Sequence, residues 1–472
     1  MKEYFKVEFK EDISKYMQIA LHIKKLIENH IIDDGEKLPT IREYTEYLKV
    51  NKITVINAYK KLEQEGFAYQ KMGSGTYAKK KENVSLFRKE YSKTFKILLA
   101  QDNLDNIIDF SGETVGDFLF PIDEFKNIID TVLERDGAET LISQSSLGYE
   151  KLRKTINTVF WNNSVEDEDI LIVSGAQQGI DIASKAILNI NDNVIVEKPT
   201  YGGALFVFKW RRANIFEVDM EEDGVDLEQF EKILKKNKIR CFYTMSYFQN
   251  PTGISYSLEK KKKLIELAEK YDFYIVEDDY LSELIYNNNI EYITFKSLDK
   301  YDRVIYIKSF SKIFLPGVRI GYMIAPKVFK ESILTSKINT DIATSSLMQR
   351  VLEIYISKGA WKENIFNLRK EYKSRYNLMK RVMQIELADK VSFIIPGGGL
   401  NFYLKLKNTN LTSKELFFKL RERGVYITPG VLFYSKMQEG ENTLRLSFSQ
   451  TNEEKILKGI KIIREELSKC HM

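Results

Sequence analysis

Apolar positions follow two rhythms along this chain, and the change between them marks its organisation. Through the first 80 residues they come in short helical periods, broken by DDGEKLP (33–39) and closed by the glycine-bearing hairpin signal KMGSGTY (71–77). From about Ile107, β-branched runs alternate instead with amphipathic helical stretches: ILIVSG (170–175), NVIVEKP (193–199), IRCFYTM (239–245), FYIVEDD (273–279), RVIYIKSF (303–310) and VRIGYMIA (318–325). Near-continuous apolar strands separated by helices predict a mostly parallel sheet covered on both faces. Beyond about Ile342 a long helical stretch leads to SFIIPGGGLNFYLKL, the helix SKELFFKLRERG and the strand TLRLSFS, the pattern of a smaller α+β lobe. The class is therefore α/β. The expected domains are a small head over 1–80, a linker with some helix over 81–106, and a large body over 107–472 whose small lobe starts near 342.

In the head, Thr40 stands three residues before Glu43, a capping-box spacing, and Ile41, Tyr44, Tyr47 and Leu48 supply an apolar face for the helix that follows. Asn51 is the expected N-cap of the next helix, with Val55, Ala58, Tyr59 and Leu62 at helical spacing and Gly66 just past its end. Two short helices joined by the turn 49–51 form a helix-turn-helix, whose second helix meets base edges with its first residues. Here those are Lys52, Ile53, Ile56 and Asn57; Asn57 can pair with adenine, while Arg42 and Thr54 are placed for phosphates. The hairpin AYQKMGSGTYAKK, with Ser74 at its Gly-Ser-Gly tip, flanks that helix as a basic wing. Charge changes sign in step, since residues 1–36 carry 6 basic and 8 acidic groups and residues 37–80 carry 9 and 4.

From YMQIALHIKKL to the GSGTYA wing, the order of helix, Gly-x-x-Leu-Pro turn, two helices and Gly-x-Gly-Thr wing resembles the head of GntR-type bacterial regulators. The resemblance implies binding to promoter DNA. Where many members carry arginines in the recognition helix, this chain has Ile53 and Ile56.

The body carries a different chemistry. KSFSKIFLPGVRIGY ends a predicted strand with Ser309, Ser311 and Lys312 and places Arg319 seven residues on, which suits a Schiff-base lysine with an arginine for an adjacent phosphate. The same residues spell Ser-x-x-Lys, but the Ser-Asp-Asn and Lys-Thr-Gly partners of penicillin-binding enzymes are absent. VEDDY puts Asp278 and Tyr280 at a strand end, where a carboxylate can keep a pyridine nitrogen protonated and a phenol can reach the ring hydroxyl. QNPTG offers Asn250 to that ring oxygen. The turn at Ser174–Gly175 opens a helix at Ala176 and Gln177, presenting backbone amides to a phosphate.

In this order, these stretches resemble the fold-type I aminotransferases from about Ile107 to the C-terminus. That resemblance implies pyridoxal 5'-phosphate (PLP), with Lys312 as the Schiff-base and catalytic residue and Asp278 on the pyridine nitrogen. It further implies Tyr280 and Asn250 on the ring oxygen, Tyr201 of EKPTYGG stacked on the ring, and Ser309, Arg319, Ala176 and Gln177 on the phosphate. Arg445 of LRLSFS matches the arginine that takes a substrate α-carboxylate. Where relatives often carry a tyrosine that reaches the partner subunit's cofactor, this chain has SQSS around Ser143. A GntR-type head on such a body resembles the MocR subfamily. This implies PLP or an amino compound as the sensed ligand and a head-to-tail homodimer. The alternative reading is a working aminotransferase of amino and 2-oxo acids with an accessory DNA-binding head.

Composition narrows the field further. Two cysteines and three histidines leave little for a disulfide framework, a zinc site or a histidine-based triad, and no metal is expected. A net charge of +5 over 472 residues says nothing by itself about nucleic acid, so any basic face is local. No apolar run approaches a signal sequence or membrane span, and the expected setting is cytoplasmic.

Overall fold

The computed structural model describes residues 2–469 apart from 8, 10–12, 29–30, 34, 66, 72–73, 80–86, 88–89, 95–106, 113–115, 117–118, 143–144, 288–289 and 312–315. The chain divides into two compact units, Met1–Asp102 and Asn103–Met472. Most of the expected linker falls outside the described residues, as do Gly66, Ser143 and Lys312.

In the first unit, helices α1 (Lys15–Glu28), α2 (Ile41–Leu48) and α3 (Lys52–Glu65) precede a hairpin of β1 (Ala68–Lys71) and β2 (Gly75–Ala78). Thr40 and Glu43 close the capping box at the start of α2. The Asn51 side chain accepts the Ile53 N–H at 2.9 Å, capping α3. Val55, Ala58, Tyr59 and Leu62 are buried as one stripe of α3 in the core of this unit. On α2 the inward stripe is the buried Tyr44 with half-buried Ile41 and Leu48, whereas Tyr47 is exposed. A helix of two turns offers one stripe to its neighbours, and Tyr47 lies off it.

The second unit is built on an eight-stranded sheet. Its strands are β3 (Ile170–Val173), β4 (Asn193–Lys198), β5 (Asn214–Glu221), β6 (Gly224–Val225), β7 (Ile239–Thr244), β8 (Tyr274–Asp279), β9 (Val304–Ser309) and β10 (Gly321–Ile324). Their order across the sheet is β3-β10-β9-β8-β7-β4-β5-β6. The central five, β9, β8, β7, β4 and β5, run parallel; β10 is antiparallel to both its neighbours, and β6 to β5. All six apolar runs of the sequence are strands of this sheet. A second, antiparallel sheet follows in the small lobe, from β11 (Val391–Phe393), β12 (Asn401–Leu406), β13 (Thr428–Pro429) and β14 (Thr443–Ser447). Three helices, Lys330–Asp341, Ser346–Ser357 and Ala360–Glu386, connect the two sheets in sequence. Among the described residues no helix is long and apolar enough to cross a membrane.

Parallel strands of an open sheet deliver ligand-binding residues from their carboxyl ends. Here the loops after β4 and β7, which carry Tyr201 and Asn250, are tied together by the fully buried Glu197. Its Oε1 accepts the Thr244 hydroxyl at 2.6 Å, the Tyr256 hydroxyl at 2.9 Å and the Met245 N–H at 3.1 Å, and its Oε2 accepts the Gln249 amide at 2.9 Å. Gln249 also donates to the Pro199 carbonyl at 2.7 Å, closing the link between the two loops. Burial pushes the Glu197 carboxyl up from 4.5 to about 7, against the lowering effect of these donors. A carboxyl raised in the folded state favours the fold while it is protonated, and that advantage is lost as pH rises from 4.5 through 7. By the size of the shift the loss is on the order of 3 kcal/mol. Glu197→Gln should remove this dependence. The unfolding free energy of the variant, measured in denaturant and taken relative to wild type, should improve by about that amount between about pH 5 and pH 8. A difference that stays constant with pH would show that Glu197 is ionised in the fold.

Candidate functional site

On the first unit, α3 presents an exposed face opposite its buried stripe. Lys52, Ile53 and Asn57 are exposed and Thr54 and Ile56 half-buried. Ile53 keeps 63% of its surface in solvent. Arg42 lies at the start of α2 with its side chain 88% exposed and pairs with Glu46 at 3.2 Å, a surface ion pair weak enough to yield to a phosphate. Ser74 is exposed at the hairpin turn, its hydroxyl 2.6 Å from that of Tyr77, which stacks on Tyr69. The hairpin is anchored by the Leu38 N–H, which donates to the Thr76 carbonyl, and by the Ala78 N–H, which donates to that of Glu36.

In the second unit the carboxyl ends of the central strands converge. Helix α4 (Ala176–Ile187) follows β3, and its N-cap Gly175 contributes no side chain, so the first amides of the helix are left open. Gly175 has φ +90°, and a Cβ there would lie 3.1 Å from Arg319 Nη2 and 3.6 Å from Ser311 Oγ. Arg319 itself adopts φ +52°, an uncommon backbone for an arginine. The Ser311 hydroxyl is buried without a hydrogen-bond partner among the described residues. A helix start, a guanidinium and an unengaged hydroxyl around a glycine make an anion cradle of phosphate size and charge. Ser309, buried beside it, accepts the Ser311 N–H at 3.3 Å.

Asp278 is 2% exposed at the end of β8, and its Oδ2 accepts the Tyr243 hydroxyl at 2.8 Å. Burial, with the neighbouring Asp278 charge, holds the Tyr243 phenol well above its ordinary value, so it remains a donor. Tyr280 is buried and donates to the Phe248 carbonyl at 2.9 Å. Tyr201 stands at the N-cap of α5 (Gly202–Trp210), half-buried, and donates to Gln177 Oε1 at 3.2 Å. A Cβ at Gly203 would fall 2.5 Å from that ring, so the glycine leaves Tyr201 its place.

Arg445 of β14 reaches from the small lobe. Its Nη1 donates to Asn250 Oδ1 at 2.9 Å and its Nη2 to the Ser111 carbonyl at 2.8 Å and Thr428 Oγ1 at 3.2 Å. The ring of Phe433 lies 5.3 Å from the guanidinium carbon. Three stretches far apart in sequence thus hold one fork of donors beside the Gln249–Gly253 turn.

Among the sequence-expected body residues with described positions, Gln177 lies with Tyr201, Asn250 with Arg445, and Arg319 beside Gly175 at the N-terminus of α4, whereas Asp278, Tyr280 and Ser309 are bonded to Tyr243, the Phe248 carbonyl and Ser311. Lys312 lies outside the described residues, one residue after Ser311. Glu197, Tyr243, Ser111 and Thr428 join the site without a sequence motif of their own. Ser311, the second serine of the Ser-Phe-Ser-Lys stretch, joins it from within a motif that the sequence singles out but in which it assigns Ser311 no role. Among the described residues, no group of His, Cys, Asp and Glu could hold a metal ion.

Residues 15–78 match the family of bacterial regulatory proteins of gntR type, and residues 114–463 match aminotransferase class I and II. An uncharacterised aminotransferase of Saccharolobus solfataricus is 30% identical over 80% of this chain and 97% of its own length. YcxD of Bacillus subtilis, an uncharacterised HTH-type transcriptional regulator, is 27% identical over 96% of this chain and the whole of its own. Among solved structures, the Pyrococcus horikoshii kynurenine aminotransferase, in complex with PMP, superposes with a TM-score of 0.76 at 31% identity over 81% of this chain and 95% of its own. The regulator relative thus runs through head and body together. With a gntR-type head preceding it, this chain belongs to the aminotransferase class I and II family and has the architecture of the MocR-type regulators.

Proposed function

We propose that this protein is a DNA-binding transcriptional regulator that holds PLP in its aminotransferase-like body and responds there to an amino compound. The observation that carries the reading is the coexistence of an exposed recognition face on α3 with an anion cradle and a buried acid in the body. The residues fit PLP by their chemistry: the cradle at Gly175, Ser311, Arg319 and the α4 amides takes a phosphate, and Asp278 takes a protonated ring nitrogen. When bound, PLP supplies an aldehyde that condenses with amines and a ring that accepts electrons.

The chain's own residues do the rest. Asp278, kept in place by the Tyr243 hydroxyl, would hold a proton at the ring nitrogen. Tyr201 would stack on the ring, and Tyr280 and Asn250 would hold its oxygen. Lys312 supplies the amine. Arg445 offers a planar pair of donors to an α-carboxylate, which would draw the fork from Asn250, Ser111 and Thr428. A ligand that engages Arg445 in one arrangement of the lobes and not another shifts the balance between them. The protein is read as a head-to-tail homodimer, and exposed Ile122, Leu133, Leu141 and Ile142 are apolar surface that a second copy would cover. The presence of Arg445 beside Asn250 also favours the second reading, a working aminotransferase.

Borohydride reduction should fix PLP to the wild-type chain on the peptide containing Lys312, and Lys312→Ala should lose that label. A label that persists on another lysine would move the assignment. Arg42→Ala should weaken DNA binding across sequences and lower the slope of log affinity against log salt by about 0.9, the share of one phosphate. An unchanged slope in a salt titration would take Arg42 out of the interface. Arg445→Ala should bind operator DNA as wild type does, yet lose roughly a hundredfold in affinity for a carboxylated amine and with it the ligand-dependent change in footprint. If wild-type DNA binding ignores every amino compound while the protein turns over amino and 2-oxo acids many times, the aminotransferase reading holds instead.

A further inference from the structure

The back of the central sheet is charged where a doubly covered sheet is ordinarily apolar. Side chains alternate along a strand, so Asp278 faces the cofactor side and Asp279 the opposite one. β8 and β9 pair in parallel with Lys308 directly opposite Asp279. Lys308 Nζ lies 3.1 Å from Asp279 Oδ1, 2.7 Å from Glu283 Oε1 and 2.8 Å from Ser282 Oγ, and Lys308 and Asp279 are each 2% exposed. Asp279 Oδ2 accepts the hydroxyls of Tyr292 at 2.6 Å, Tyr306 at 2.8 Å and Ser282 at 2.9 Å. Burial works to lower the pKa of the Lys308 ammonium, but the two carboxylates outweigh it and hold the group above its ordinary value. It stays charged, which makes it a poor nucleophile.

Beside this cluster lies a cavity of about 550 Å³ lined by Trp161, Tyr292, Tyr306, Tyr322 and Trp361 among others. Its polar groups are turned towards one another: Trp161 donates to the Tyr322 hydroxyl at 3.0 Å, and the phenols of Tyr292 and Tyr306 go to Asp279. That arrangement serves the cluster itself.

A buried ion pair is weak evidence for stability, since apolar residues in its place are often as good or better. Its position is the informative feature. Asp279 follows Asp278 directly and precedes Tyr280; Lys308 precedes Ser309 and stands four residues before Lys312. One cation therefore joins the two strand ends that carry the acid and the amine of the cofactor site. We infer that Lys308, with Asp279 and Glu283, is a positioning element that locks the end of β8 to the end of β9 and thereby sets Asp278 against Ser309 and Ser311. This rests on the PLP reading and goes beyond it by assigning a role to groups that touch no cofactor.

The test measures PLP affinity by absorbance in full-length protein, with thermal unfolding of the same samples without PLP as a separate readout. Lys308→Met should weaken PLP about tenfold or more, because it leaves two carboxylates without their cation. Tyr292→Phe removes one bond to Asp279 from a residue that is 46% exposed, so the core is left intact. It should weaken PLP about threefold with little change in unfolding. In Asp279→Asn combined with Lys308→Met, the losses in affinity should fall well short of additive, the sign of a shared interaction. Variants that unfold at lower temperature yet bind PLP as wild type does would make the cluster purely structural and overturn the assignment. A wild type that takes up no PLP would overturn the reading beneath it.

Discussion

Burial of the central strands on both faces is the constraint from which the rest of the body follows. With helices over either side, polar chemistry gathers at the carboxyl ends of the strands, and at those of β4, β7, β8 and β9 the chain places acids that act first as acceptors. Glu197 gathers the loops after β4 and β7. Glu277 accepts the Ser246 hydroxyl and the N–H groups of Phe295 and Lys296. Asp279 gathers Ser282, Tyr292, Tyr306 and Lys308. Each carboxylate satisfies several donors that the turns would otherwise bury unpaired, at the cost of its own desolvation. Against that scaffold Asp278 points the other way, to the Tyr243 hydroxyl.

Local rules make much of this legible in the amino-acid sequence. Val55, Ala58, Tyr59 and Leu62 share one buried stripe because helical periodicity is a short-range property, and the Thr40–Glu43 capping box is set by two residues. The six apolar runs are all strands, since burial on both faces leaves no polar alternation to confuse the reading. Tyr47 departs from its expected face because α2 is too short to bury more than one stripe.

The site is legible where its members lie at strand ends with a turn motif, as Asp278, Asn250, Ala176 and Tyr201 do. It is illegible where tertiary structure alone makes the contact. Ser111 and Thr428 meet Arg445 from positions 334 and 17 residues away, through a carbonyl and an ordinary threonine hydroxyl. Glu197 looks like one more charged residue before a proline until its four donors are seen. Ser311 differs from Ser309 in its surroundings: the Ser309 hydroxyl accepts the Ser311 N–H, while the Ser311 hydroxyl lies beside Gly175 with no hydrogen-bond partner among the described residues.

Ile53 has a consequence for the kind of recognition the head can perform. A side chain without donors or acceptors reads a base edge only by touching it, and in the major groove the thymine methyl is the apolar feature on offer. On the proposed reading, the recognition helix would separate two tasks that an arginine would combine. Its grip on the backbone would belong to charged neighbours and fade with salt, while the contribution of Ile53 would be dehydration of a hydrocarbon surface, which salt leaves largely untouched.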